Sequence, residues 1–173
     1  MNNGKAVGAT KYLCRRIPRD WASRWPGLVA EYDVSPTRRG RLAAKVLVFR
    51  NPRALRSFWK IGLKQGELGR WTTGAVNGLI SWKERLSRNN IWTRRITRAD
   101  PRYFCVIGLA CGFLTMEHIA HEAVHAGFCY AKRVNRTPWA EGRDFDEEEI
   151  AYPAGAIAAG INRFLFKKGL YPK

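Results

Sequence analysis

The chain has 173 residues, with 31 Lys or Arg against 14 Asp or Glu, a formal net charge of +17. Its 46% apolar content and seven tryptophans suffice for a packed core and exclude a chain disordered throughout. No apolar run approaches the roughly 18 residues of a membrane span, Met1 to Lys5 lack the apolar region of a secretion signal, and four cysteines without a C-x-x-C pair suit a reduced, cytoplasmic setting.

The stretch through about Arg41 mixes arginine with Trp21, Trp25, Pro18, Pro26, Pro36 and Gly40 and reads as irregular. Ala43 to Phe49 is apolar and β-branched enough for a buried strand. Asn51 as cap and Pro52 at the first position predict a helix to about Lys60. Residues 62–74 hold four glycines and read as a loop. Val76, Leu79, Ile80, Lys83 and Leu86 recur at helical spacing and predict a second helix over Ala75–Arg88, ended by Asn89 and Asn90. Thr93 to Arg98 read as a basic link, and Asp100-Pro101 as a turn. Tyr103 to Leu114 form an apolar strand, and Thr115 caps the helix that follows. An acidic run from Asp146 to Glu149 leads into an alanine-rich helix, in which Pro153 is expected to cause a kink or a break. Together these elements predict one α+β domain over residues 1–173. A small mixed β-sheet packs against the histidine-bearing helix and the C-terminal alanine-rich helix.

All three histidines lie within His118–His125. At about 100° per residue, His118, His121, Glu122, His125 and Cys129 share one arc of the helix, with Ile119, Ala120, Ala123, Val124 and Gly127 on the apolar side. His121-Glu122-x-x-His125 is an H-E-x-x-H pattern. Residues at i and i+4 stack, so two imidazoles can hold one tetrahedral zinc, and Glu122 beside it can act as general base. Without metal, the same residues would make a helix whose histidines hydrogen-bond in a polar core. His118 is an alternative ligand or a support for the others. Cys129, one turn beyond His125, is an alternative ligand or an inert buried thiol.

HEAVHAG followed downstream by an E-x-x-A entering an alanine-rich helix resembles the gluzincin arrangement. It is most similar to the compact ImmA/IrrE-type metallopeptidases, over roughly residues 103–165. The resemblance implies zinc, peptide-bond hydrolysis and a glutamate as third ligand. Glu148, with Ala151 three residues on, matches that position, whereas Glu147 and Glu149 fall on other faces. Tyr152-Pro153 departs from the family, which tends to have Asn followed by a variable residue there.

The charge is divided unevenly. Residues 1–102 hold 23 Lys or Arg and 6 Asp or Glu, whereas residues 103–173 hold 8 of each. A basic portion, 1–102, thus precedes the metal-site portion, 103–173. It suits DNA, RNA or an acidic protein partner, with Arg94, Arg95 and Arg98 as candidate polyanion contacts and the interleaved tryptophans as candidate base-stacking groups. The leading expectation is a zinc peptidase acting on a protein substrate, which would pair by β-augmentation with the 103–114 strand. The alternative is a nucleic-acid-binding protein with a structural or inactive zincin-like site. A hybrid resembling the SprT-like proteases would need a downstream third histidine, and none follows His125.

Overall fold

A computed structural model describes residues 25–37, 40–63, 68–69, 72–86, 92–134 and 147–171. In chain order these form β1 (Leu28–Val34), β2 (Ala43–Phe49), α1 (Pro52–Ser57) continued by a π-helical turn (Phe58–Gly62), β3 (Gly74–Gly78), β4 (Ile80–Leu86), β5 (Trp92–Ala99), β6 (Tyr103–Ala110), α2 (Met116–Val134) and α3 (Glu147–Lys167). Four strands make one mixed sheet in the order β1-β2-β6-β3, and β4 and β5 make a separate two-stranded ribbon. The architecture is α+β.

The central strands show why this sheet is sandwiched. β2 pairs parallel with β6, Val46 meeting Ile107, and every residue of β6 is buried. Their near-continuous apolar sequences are those of strands covered on both faces. On one face Val46, Val48, Ile107 and Leu109 pack with Ile119 and Ala123 of α2 and Ile157 and Ile161 of α3. On the other, Leu47, Phe49 and Val106 pack with Leu55 of α1 and with Phe58 and Trp59. Trp59 is therefore core, not a base-stacking surface. The Asn51 side chain accepts from the Ala54 N–H at 2.9 Å, so the expected cap and proline start of α1 are present.

α2 and α3 pack closely because of one glycine. A Cβ on Gly127 would stand 2.9 Å from the Ile150 carbonyl oxygen and 3.2 Å from the Ala154 Cβ. Pro153 is buried inside α3 without interrupting it; its missing N–H falls within an otherwise continuous helix.

Five expectations are corrected. The opening stretch contains a strand, β1, which pairs antiparallel with β2. Over 75–86 the expected helix is instead β3 and β4, its expected end at Arg88, Asn89 and Asn90 lies outside the described residues, and the basic link of 93–98 is β5. Val76, Leu79, Ile80 and Leu86 fit a 3.6-residue period by coincidence. Pairing of β3 with β6 and of β4 with β5 overrides it, as tertiary context does for weak local preferences. The 103–114 strand stops at Ala110, where Gly112 turns the chain at φ 86°. Finally, β6 lies between β2 and β3, so both its edges are occupied and it has no ladder left for a substrate. Among the described residues, no helix is long and apolar enough to cross a membrane.

Candidate metal centre

α2 begins directly after the central strand and its turn. The Thr115 hydroxyl accepts from the His118 N–H at 3.2 Å, which caps the helix as expected. The Glu117 backbone N–H and the Thr115 hydroxyl hold the Glu117 carboxyl below its usual range, as suits an acid in the first helical turn.

One turn apart on the exposed side of α2, His121 and His125 bring their Nε2 atoms to 3.2 Å, with the ring planes at 78°. Two nitrogens bound to one tetrahedral zinc at about 2.05 Å stand about 3.3 Å apart. The pair therefore has the spacing of one edge of such a site.

Glu122 lies elsewhere on the helix surface. It is buried, 5% exposed, with its carboxylate facing Gly74 of β3. Burial raises the carboxyl above its ordinary value, and His121 partly opposes the shift. His118 is half-buried on the same side, with Nε2 3.5 Å from the Thr73 hydroxyl. Burial lowers its pKa, a backbone contact from Thr73 raises it and His121 lowers it, leaving the ring below its ordinary value. The expected common arc is thus divided: His121 and His125 face solvent, whereas Glu122 and His118 face β3.

Gly74 makes that second arrangement possible. A Cβ there would collide with Nε2 of His118 and lie 2.8 Å from Oε1 of Glu122. Nothing in the sequence of a presumed loop signalled Thr73 or Gly74, because their role depends on β3 crossing beneath α2. In metal-free Gly74→Ala, the displaced His118 ring should titrate closer to its ordinary 6.5, that is, at higher pH, as followed by NMR of the ring protons. The obstructing atoms are side-chain ends and Ala suits a strand better than Gly. A melting temperature more than about 5 °C lower would show instead that the backbone yields.

Other candidates are placed less favourably. Ala120 and Val124, expected on the buried side, are exposed. Cys129 has its Sγ 3.3 Å from where a Gly78 Cβ would stand and accepts a thiol hydrogen bond from fully buried Cys105. It faces the sheet, not the histidine pair, and burial pushes the Cys105 thiol up. Glu148 is exposed in the first turn of α3, as is Glu147, whereas Glu149 is half-buried. Among the described residues, no three His, Cys, Asp or Glu side chains are grouped to hold a metal. Arg94, Arg95 and Arg98 lie on β5. No protein-family model, curated protein or solved structure matches the chain.

Proposed function

We propose that the chain is a zinc-dependent peptidase of the H-E-x-x-H type, working in the cytoplasm on a protein substrate. The observation that carries this reading is the 3.2 Å separation of the His121 and His125 Nε2 atoms, which fits two donors of one tetrahedral ion. Zinc bound there would polarise a scissile carbonyl and acidify water. Glu122 would take the proton of the attacking water and pass it to the leaving amine. Its raised carboxyl pKa brings it closer to neutral pH, where a group both accepts and returns a proton efficiently. Glu148 remains the proposed third donor on the strength of its E-x-x-A position.

β3 is the better candidate for holding substrate. It is an edge strand of the sheet, no described strand pairs with its outer side, and Gly74 stands against His118 and Glu122. An extended peptide added to that edge would run beside the proposed base.

Elemental analysis of protein purified without chelator tests the reading. About one zinc per chain is expected, lost in His121→Ala and in His125→Ala. Glu148→Ala should weaken zinc binding by at least about tenfold, since even the outer-shell partners of metal ligands are worth about 10- to 100-fold, and more than Glu147→Ala or Glu149→Ala. If His118→Ala causes the larger loss, the third donor is His118. Protein that takes up no zinc would leave the second reading, a nucleic-acid-binding protein with a structural or inactive zincin-like site, which the excess of Lys and Arg in residues 1–102 supports.

A further inference from the structure

The ribbon of β4 and β5 separates its basic residues in a way the sequence alone does not reveal. The strands pair antiparallel, with Trp82 opposite Ile96, Lys83 opposite Arg95, Glu84 opposite Arg94, Arg85 opposite Thr93 and Leu86 opposite Trp92. A register shift between Ser81 and Trp82 then sets Ser81 opposite Arg98. Directly opposed residues belong to the same face of a ribbon, and successive residues alternate. One face therefore holds the positions of Lys83, Arg85, Arg95 and Arg98, with Ser81 and Thr93 and no acid. The other holds Trp82, Leu86, Trp92 and Ile96, with Arg94 opposite Glu84.

Two features of this placement point to a ligand. Lys83 and Arg95 occupy directly opposed register positions; like charges at such positions disfavour a strand pair, and an anion laid along the face would relieve this. The ribbon also makes its main contacts within itself while its base is fixed. The Leu79 N–H donates to the Phe104 carbonyl at 2.9 Å, the Asp100 N–H donates to the Leu79 carbonyl at 3.3 Å, and Arg133 at the end of α2 donates to the Asp100 carbonyl at 3.4 Å. Buried Asp100 accepts through Oδ1 from the N–H groups of Arg102 and Tyr103 at 2.8 and 3.1 Å.

We infer that the Lys83, Arg85, Arg95 and Arg98 face of this ribbon binds the phosphate backbone of duplex DNA. A two-stranded ribbon fits the major groove of B-form DNA, whereas the major groove of A-form RNA is too narrow. Single strands are bound by stacking bases on aromatics beside the cations, but in this register the positions of Trp82 and Trp92 alternate with those of the cationic row instead of joining it. The inference is independent of zinc, and it replaces the expected trio Arg94, Arg95 and Arg98 with a set that excludes Arg94.

The test is binding of the full chain to a 20-bp DNA duplex of arbitrary sequence, followed by anisotropy over a salt series. Each phosphate contact contributes about −0.9 to the slope of log K against log salt. Lys83→Ala with Arg95→Ala should make the slope shallower by about 2 and weaken binding about tenfold or more at low salt. Arg94→Ala should leave the slope unchanged, and zinc content should not change in any variant. Lys83→Glu places opposite charges across the ribbon, so it should weaken DNA binding while the melting temperature holds or rises. That separates a lost contact from a lost fold. An equal loss of slope in Arg94→Ala, or DNA binding indifferent to Lys83 and Arg95, overturns the inference. So does tighter binding to phosphatidylserine vesicles or to a single-stranded oligonucleotide of equal length than to the duplex.

Discussion

Glu122→Gln is expected to retain zinc and to lose about 10²- to 10⁴-fold in kcat/KM on any peptide the parent cleaves, the range that a positioned base supplies. Glutamine keeps the volume of the side chain facing Gly74 and removes only its capacity to hold and release a proton. Zinc content measured alongside peptide-library cleavage distinguishes this from a lost ligand: unchanged zinc with unchanged cleavage would remove Glu122 from the mechanism. Metal-free protein gives a second readout. Because burial raises the Glu122 carboxyl above its ordinary 4.5, folding favours its protonated form. Its cost to stability sets in as pH rises through the unfolded value and is complete above the folded one. Metal-free Glu122→Gln should therefore be more stable than the parent at pH 7, with the difference disappearing near pH 4.

Phe104→Ala should cause the largest loss of stability from a single core change, about 3–5 kcal/mol. That corresponds to a fall in melting temperature on the order of 10 °C or more for a chain of this size. Phe104 is fully buried on β6 and meets the Tyr130 ring of α2 edge-on at 5.2 Å, so its removal opens a cavity between the central strand and the histidine-bearing helix. A loss below about 1 kcal/mol in denaturant titration would mean that the surrounding core collapses to fill the gap. α2 would then be held to the sheet mainly by its other buried residues.

What could be read from the sequence depended on whether a feature was local. The Asn51 cap, the apolar runs of β2 and β6, the Thr115 cap and the His121–His125 pair all follow from residues within a turn of one another. Each is present. β3 is the opposite case. Its Gly-Ala-Val-Asn-Gly sequence has little strand preference, and it is a strand because β6 pairs with it. β1 was hidden for a similar reason: Glu31 and Asp33 interrupt its apolar pattern, yet Asp33 meets Lys45 at 3.0 Å and accepts from the Tyr103 hydroxyl at 2.9 Å. At the candidate site, helical spacing found the two histidines. It could not show that Glu122 and Cys129 face the sheet, nor whether Glu148 reaches the pair, because those depend on how α2 and α3 pack.

The parallel pairing of β2 with β6 also orders events in time. Val46 cannot meet Ile107 until the intervening chain, including the ribbon, has closed into a loop, and such distant contacts slow folding. The His121–His125 pair needs only one turn of helix, whereas the surroundings of Glu122 require β3 to be seated beside β6. On the proposed reading, zinc contact by the histidines would therefore precede peptide cleavage during refolding, and a chain stalled before sheet closure would hold the ion without using it.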